Sequence, residues 1–294
     1  MDDQDWLAER FEANRSHLRG VAYRMLGSLP EADDAVQEAW IRLSRTDTGE
    51  IDNMRAWLTT VVGRVCLNML RSRRTRREAS LETYLPDPVV SPEQGVDPEQ
   101  EALLGDSVGL ALLVVLDSLT PAERVAFVLH DVFAVPFDEI APIVGRTSTA
   151  ARQLASRARR RVQGAPVPDV DLDGQWVVVD AFLAAARHGD FERLLAVLDP
   201  EVVVRSDGGA ARPGLVSVVR GAQAVARQAM SFRRFVETST RILVNGIPGG
   251  VAWAPDGSPF AVLALTVKGG RIVAIDVLAD PKRLGQLDLT VVAR

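Results

Sequence analysis

The amino-acid sequence predicts a multidomain protein in which two all-α modules precede an α+β domain. Its 294 residues are about twice the length of a typical domain. Two clusters of arginines flank an acidic, proline-rich segment, and beyond Asp171 the apolar spacing becomes a mixture of helical and strand-like patterns. These observations place the predicted boundaries at residues 5–80, 81–101, 102–164 and 171–294.

Composition and hydropathy are those of an ordinary globular chain. Hydrophobic residues make up 47% and charged residues 25% of the sequence, which excludes disorder throughout. The longest apolar run, Leu110–Leu116, is far shorter than the roughly 20 residues of a membrane span. The acidic N-terminus lacks the features of a signal peptide, and the single cysteine, Cys66, lies among valines, where a buried structural thiol is expected. We therefore expect a soluble cytoplasmic protein without membrane contact.

The distribution of charge is more informative than the net charge of −5. Residues 64–79 hold six arginines and one acid, and residues 146–161 hold six arginines and no acid. The segment 81–101 between them holds six acids, no base and four prolines. This pattern indicates two basic modules joined by an acidic linker. For either cluster, arginines that offset a helix dipole or simply face solvent are the alternative.

Three helices are predicted in the first module. Apolar spacing predicts helices over Phe11–Leu26 and Met54–Ser72, with another starting after the Gly27–Pro30 turn. This middle helix carries an acidic–amide patch away from its apolar stripe: Asp34, Gln37 and Glu38.

The stretches Asp33–Trp40 and Arg55–Arg64, followed by the first arginine cluster, resemble region 2 of an extracytoplasmic-function (ECF) sigma factor. The resemblance implies that the acidic–amide patch docks on the clamp helices of core RNA polymerase. It also implies that the following loop and helix capture unpaired −10 bases, for which amide pairing, aromatic stacking and phosphate neutralisation are suitable chemistry. For Trp57, packing in the core remains the alternative to base stacking. The −10 candidates are Asn53, Arg55, Trp57, Arg64, Arg71, Arg73 and Arg74.

The second module is predicted to contain a helix over Ala102–Ser118, a capping box at Thr120–Glu123, and a helix-turn-helix over Val135–Val162. Pro142 should kink the first helix of that motif or delay its start. The outward face of the second helix suits base edges, and the arginines beside it suit phosphates. The −35 candidates are Ser148, Thr149, Arg152, Gln153, Arg157 and Arg159.

The order Leu119–Arg124, Glu139–Ala141 and the arginine-rich helix resembles sigma region 4 at the expected distance after region 2. This resemblance implies binding of the −35 element and docking on the polymerase flap, so the expected partners are core RNA polymerase and promoter DNA. The acidic linker suits a path through a channel built for nucleic acid, or masking of the basic faces, and a solvated tether is the alternative.

Helices followed by strands predict an α+β domain after Asp171. The predicted helices are Trp176–Ala186, Phe191–Leu198 and Ala222–Phe235. The predicted strands are Val202–Arg205, Leu215–Val219, Ser239–Val244, Pro259–Val267 and Arg271–Leu278. The run Phe182–Leu195 resembles the opening of an NTF2-like, SnoaL-like cone.

The whole arrangement is similar to the sigma-J-like branch of ECF sigma factors, which carry a fused SnoaL-like domain. Three motifs support the resemblance: Leu85-Pro86-Asp87-Pro88 in the linker, Asp207-Gly208-Gly209 before Ala210, and Asp280-Pro281-Lys282. The resemblance implies that the C-terminal domain regulates the sigma factor in cis through these residues, so that no separate anti-sigma factor is required.

Catalysis by the cone is the competing hypothesis, with Asp207, Asp276 and Arg205 as an acid–base set. Asp207 also suits a turn before its glycines, and Asp276 suits a surface position. The sequence contains no zinc-type cluster, nucleotide-binding glycine loop or G-x-S-x-G motif, and its three histidines suit structural roles. We predict no catalytic residue, metal or cofactor. A small ligand in the cone, a ligand-responsive one-component DNA-binding regulator and an NTF2-fold enzyme remain as alternatives.

Overall fold

The protein divides into two compact units. The structure, a computed structural model, describes residues 3–47, 49, 51–77, 85–93, 110–163, 168–232 and 238–290, without the side chains of 3, 4 and 74–77. The helical unit comprises residues 1–81, 101–105 and 115–165, and the sheet unit comprises residues 82–100, 106–114 and 166–294. Among the described residues, no helix is long and apolar enough to cross a membrane.

The helical unit begins with α1 (Asp3–Leu26), α2 (Leu29–Leu43) and α3 (Met54–Arg77), which pack against one another. Helix α1 begins eight positions before the predicted Phe11, since its acidic first residues favour the positive end of the helix dipole. Gly27 ends α1 with a φ of +67°. Cys66 is buried as predicted, and burial raises the pKa of its thiol to about 12.

The second half of the helical unit contains the predicted helix-turn-helix. The capping box at Thr120 and Glu123 starts α5 (Pro121–Phe127), which continues into a π-helical turn. Helices α6 (Phe137–Val144) and α7 (Ser148–Val162) form the motif. Between them Gly145 adopts a φ of +67°. Helix α6 starts two residues later than the predicted Val135, directly after Pro136 at its N-cap, and keeps Pro142 in its interior.

The linker contributes strand β1 (Val90–Ser91), and the described part of the second module begins with helix α4 (Leu110–Asp117). The rest of the helix predicted over Ala102–Ser118 lies outside the described residues, apart from Ser118 itself, which follows α4. Strand β1 belongs to the sheet unit.

The sheet unit has helices on one seven-stranded mixed sheet of order β1-β4-β5-β6-β7-β2-β3. All neighbouring strands are antiparallel except β2 and β7, which are parallel. A buried core that includes Trp176, Phe182 and Leu265 joins helices to sheet. The strands after β1 are β2 (Leu198–Asp207), β3 (Ser217–Arg220), β4 (Thr240–Val244), β5 (Ile247–Trp253), β6 (Pro259–Lys268) and β7 (Arg271–Leu278). The helices are α8 (Leu172–His188), α9 (Phe191–Val197), α10 (Ala222–Ser231) and α11 (Pro281–Leu284).

The predicted α+β class is confirmed, but the predicted strand set was wrong in omitting β5. Pro248, Gly249 and Gly250 disfavour a strand when only local sequence is considered. The tertiary structure requires this glycine-rich backbone, because a Cβ at Gly249 would lie 2.3 Å from the carbonyl oxygen of Leu263 on β6.

Candidate functional site

The predicted polymerase-binding residues lie together on the outer surface of α2. Asp34 and Gln37 are exposed, and Glu38 forms an ion pair of 2.9 Å with Arg42 one turn later. The opposite face of α2 is buried: Ala32, Ala35, Val36, Ala39 and Leu43. The helix therefore presents a compact carboxylate–amide surface whose residues are not required for the core.

The predicted −10 residues have different environments at the start and along the length of α3. Asn53 is exposed and caps the helix, since its Oδ1 accepts a hydrogen bond of 3.1 Å from the Ala56 N–H. Trp57 is half-buried, so its exposure does not distinguish base stacking from core packing. Arg64 and Arg71 are exposed.

Arg73 differs from the other arginines of this cluster. It donates a 2.8 Å hydrogen bond to the carbonyl oxygen of Leu26 and pairs with Glu31, so it ties the end of α1 to the start of α2. A phosphate contact by Arg73 requires the loss of these bonds. The side chain of Arg74 lies outside the described residues.

Arg55 belongs to a polar chain around a neutral histidine. Its guanidinium can only donate, so His17 Nδ1 accepts at 2.9 Å, and His17 Nε2–H then faces Thr59 Oγ1 at 3.3 Å. Burial, followed by the charges of Arg55 and Arg24, lowers the pKa of His17 to about 4. The His17 ring also meets the edge of Phe133 with a centroid separation of 5.3 Å. His17 is therefore a structural, neutral histidine beside a predicted DNA contact.

Helix α7 presents a polar outer face above a buried stripe. The buried residues are Ala151, Leu154, Ala155 and Ala158. The exposed predicted base-contacting residues are Thr149, Arg152 and Gln153. The guanidinium of Arg152 lies 5.3 Å from the centroid of the Phe137 ring, which orients it from α6. Ser148 instead donates a 2.5 Å hydrogen bond to Asp138, so it contributes to the joint between α6 and α7.

The arginines assigned to phosphates are paired with acids from the preceding helices. Glu123 lies 2.8 Å from Arg161 and 3.4 Å from Arg157, and Asp131 lies 2.7 Å from Arg159. These arginines remain about half-exposed. Sequence analysis missed both acids because they are distant in sequence from the arginine cluster, although Glu123 was visible as the capping-box glutamate.

Glu123 stays ionised for reasons that the local geometry explains. Burial acts to raise its pKa, but hydrogen bonds from Thr120 and the charges of Arg161 and Arg157 outweigh burial and lower the pKa. A permanently charged Glu123 can hold both arginines near the surface of α7.

Within the sheet unit, the linker motif is bound by one arginine that sequence analysis did not name. Arg283 lies 2.5 Å from Asp87 and 2.6 Å from Asp207, and donates a 2.6 Å hydrogen bond to the carbonyl oxygen of Leu85. The Leu85 N–H in turn donates to Asp207 at 3.1 Å. The four motif residues are all buried: Leu85, Pro86, Asp87 and Pro88. We call Leu85, Asp87, Asp207 and Arg283 the linker clamp.

The glycines after Asp207 are required by close packing. Asp207 is buried at the end of β2, and its Oδ1 accepts a 3.0 Å hydrogen bond from the Gly209 N–H, which is the predicted turn geometry. A Cβ on Gly208 would lie 2.2 Å from the carbonyl oxygen of Arg212. A Cβ on Gly209, whose φ is +58°, would lie 2.3 Å from Asp280.

The third predicted motif supports the clamp indirectly. Asp280 caps α11, since its Oδ1 accepts a 2.9 Å hydrogen bond from the Lys282 N–H. Pro281 and Lys282 are exposed. Arg283, which contacts the linker, lies one position beyond the predicted motif, and no local sequence pattern marks it because both of its acidic partners are distant in the chain.

A second contact binds the linker to the edge of the sheet. Val89 N–H donates to Asn245 Oδ1 at 3.1 Å, and Asn245 N–H donates to the Val89 carbonyl at 2.8 Å. Val90 then pairs with Val244 in the β1–β4 ladder. Asn245 is fully buried with a φ of +52°, and the Asn245–Gly246 pair is the turn of the β4–β5 hairpin. That dipeptide was a hairpin signal in the sequence.

The surface position suggested for Asp276 was wrong. Asp276 is buried and forms a 2.6 Å ion pair with Arg205 on the neighbouring parallel strand. Burial raises the pKa of Asp276, and the charge of Arg205 opposes that rise. Asp207 is held by the linker clamp, so the hypothetical acid–base set consists of two separate structural carboxylates. No group of three or more metal-ligating side chains occurs among the residues that the structure describes.

Comparisons with known proteins identify the class to which these modules belong. Residues 10–76 match the family model for sigma-70 region 2, and residues 109–162 match that for sigma-70 region 4. The chain belongs to the ECF RNA polymerase sigma factors, and the predicted family is confirmed.

Similar relatives extend over nearly the whole chain. The ECF RNA polymerase sigma factor SigJ of Mycobacterium tuberculosis H37Rv is 39% identical, over 93% of this chain and 91% of that protein. The probable ECF sigma factor SigI of Mycobacterium tuberculosis CDC 1551 is 38% identical over 98% of both chains. The crystal structure of Mycobacterium tuberculosis SigJ matches 96% of this chain and 99% of that chain, with a TM-score of 0.79 and 37% identity.

The depressed pKa of His17 predicts a loss of stability in mild acid. An unfolded histidine has a pKa of about 6.5, whereas native His17 has a pKa of about 4. The unfolded state therefore binds the proton first, and stability present above pH 6.5 is lost as the pH falls toward 4. We expect His17→Gln to reduce the fall in the urea midpoint between pH 7.5 and pH 5, followed by circular dichroism of the full chain. The exposed His188→Gln is the control, and equal pH dependence in all three proteins would contradict the assignment.

The linker clamp predicts that Arg283→Ala releases the linker. Removal of one partner from a buried ion pair costs about 3–5 kcal/mol, because the remaining charge is left uncompensated. We expect hydrogen–deuterium exchange of the peptide containing residues 85–91 to become at least tenfold faster, while exchange in α1 is unchanged. Lys282→Ala is the matched control on the neighbouring exposed residue. Equal exchange in the two variants would show that Arg283 does not hold the linker.

Proposed function

We propose that this ECF sigma factor binds core RNA polymerase through the outer surface of α2, directs it to promoters, and is regulated in cis by its sheet unit. The presence of both sigma-70 regions in one chain carries the first part. The linker clamp carries the second. The protein acts in the cytoplasm as a binding protein and requires neither catalysis nor a separate anti-sigma factor.

The polymerase contact is assigned to Asp34, Gln37 and Glu38. The side chains share one helical face and leave the core of α2 intact, so they are free to meet a basic or polar partner surface. Flap docking is assigned to the region 4 module as a whole.

Promoter recognition is divided between two surfaces. At the −10 element, Asn53 and Trp57 mark the start of α3, and the exposed Arg64 and Arg71 follow along the helix. Such a combination suits stacking of unpaired bases and neutralisation of their phosphates. Arg73 is assigned to structure, because it already holds Glu31 and the end of α1.

At the −35 element, the outer face of α7 is assigned to base edges through Thr149, Arg152 and Gln153. Arg157 and Arg159 are assigned to phosphates, which fix position on the duplex. Their pairing with Glu123 and Asp131 means that DNA phosphates replace carboxylates already at these sites. The acids therefore weaken nonspecific DNA binding by the free protein.

Regulation in cis follows from the docking of the linker on the sheet unit. The linker joins the −10 and −35 modules, so its free length limits how far apart they can bind. An extended chain spans about 3.4 Å per residue. Docking of the seven residues from Leu85 to Ser91 fixes their span on the sheet unit, so they no longer contribute free length to the linker. The sheet unit sets the spacing that the sigma factor accepts.

Run-off transcription with purified core polymerase tests the first part. We expect the full chain to support a promoter-specific transcript and Gln37→Ala/Glu38→Ala to bind core about tenfold more weakly, a loss typical of an interface hot spot. The control is Glu9→Ala/Glu12→Ala, which removes two exposed carboxylates from α1. A chain that protects intact duplex by itself but gives no transcript would instead be a one-component regulator.

Promoter spacing tests the regulatory part. We expect Arg283→Ala to raise the relative yield on templates whose −10 to −35 spacer is changed by about two base pairs, because a released linker spans a wider range of distances. Lys282→Ala should keep the wild-type spacing profile. Identical profiles for wild type and Arg283→Ala would contradict regulation through the linker clamp.

A further inference from the structure

The sheet unit encloses a cavity that neither sigma region explains. Its volume is about 270 Å³, close to the lower end of small-molecule pockets, about 300 Å³. Phe182 of α8 and Gln228 of α10 line it from the helical side, and Leu263, Val277 and Ser206 line it from the sheet. The cavity therefore lies between the two layers of this unit.

The lining limits the charge of any occupant. Aliphatic and aromatic side chains dominate, and none of the described lining residues is an Asp, Glu, Lys, Arg or His. Transfer of an ion into such surroundings is strongly unfavourable without a compensating charge. The buried pair Arg205–Asp276 is not part of the lining. A neutral and largely apolar molecule is the occupant that these walls favour.

One buried polar atom indicates which hydrogen-bonding group an occupant of the cavity should carry. Gln228 lines the cavity, and its Oε1 is buried with no hydrogen-bond partner among the described residues. Buried acceptors in folded proteins are nearly always bonded. Ser206 and Ser217, which face each other across β2 and β3, add hydroxyl groups to the same lining.

We propose that this cavity binds a neutral, mainly apolar small molecule whose hydroxyl or N–H group donates a hydrogen bond to Gln228 Oε1. The apolar body packs against the ring of Phe182 and the side chains of Leu263 and Val277. A donor is required because a carboxamide oxygen only accepts.

The cavity wall continues into the linker clamp. Ser206 lines the cavity and is followed directly by Asp207 of the clamp. Ala279, another lining residue, donates a 2.7 Å backbone hydrogen bond to the Asp207 carbonyl. Leu215 also lines the cavity, and its Cβ would lie 2.9 Å from a Cβ placed on Gly208. A ligand that orders this wall also stabilises the docked linker. The regulatory meaning of this coupling rests on the proposed function, whereas the binding itself does not.

Three probes with one ring system test the binding. With the full chain in calorimetric titrations, we expect 2-naphthol to bind saturably and at least fivefold more tightly than 2-methoxynaphthalene, which cannot donate. The anion 2-naphthoate should show no saturable binding. Gln228→Leu should remove the preference for 2-naphthol while 2-methoxynaphthalene still binds. Gln223→Leu, on the exposed face of α10, is the matched control and should behave as wild type.

The outcomes are separable from those of the transcription experiments. Absence of saturable binding, equal affinity for all three probes, or an unchanged preference in Gln228→Leu would overturn the ligand site. If Gln228→Leu does not fold by circular dichroism, Gln228→Met makes the same test with an unbranched side chain. We expect saturating 2-naphthol to slow hydrogen exchange in residues 85–91 at least threefold. Binding without slower exchange would overturn the coupling to the linker clamp, whatever the run-off assay shows.

Discussion

The docking of the linker on the sheet unit depends on one largely buried arginine placed between two carboxylates. Arg283 compensates the charges of Asp87 from the linker and Asp207 from the sheet, which offsets part of the cost of removing these charges from water. Departure of Asp87 with the linker would leave Arg283 paired with Asp207. In the proposed regulation in cis, the docked linker, with Pro86 and Pro88 buried, is one of the two states of a switch.

The helical unit uses charge in a complementary way. Glu123 and Asp131 partly neutralise the arginines of α7 and keep them oriented at the surface. The residues of the same helix that are predicted to face bases lie outside this network, and Arg152 among them lies over the Phe137 ring instead. In the proposed function, position on DNA and selection of sequence thus belong to different sides of one helix, which the Ser148–Asp138 hydrogen bond joins to α6.

Features set by local sequence were predictable, whereas features set by distant partners were not. The helices, the capping box at Thr120 and the α+β class follow from periodicity and end signals within a few residues. Strand β5 was missed because Gly249 lowers the local strand propensity. The glycine is needed there because the backbone of β6 approaches it too closely for a side chain. Arg283 and Glu123 act on partners brought close only by the fold, so neither of their roles has a local pattern. Asn245 is intermediate, since its hairpin signal was present but its bonds to the linker were not predictable.

The short strand β1 also determines which backbone groups are unpaired at one edge of the sheet. It covers part of β4, which would otherwise present unpaired backbone groups at the end of the sheet order. Exposed borders of this kind recruit strands from other molecules and favour self-association. Without β1, Leu243 and Val244 would lose their strand partners, and β4 would become an exposed edge. The proposed release of the linker would therefore expose an edge strand that is prone to self-association.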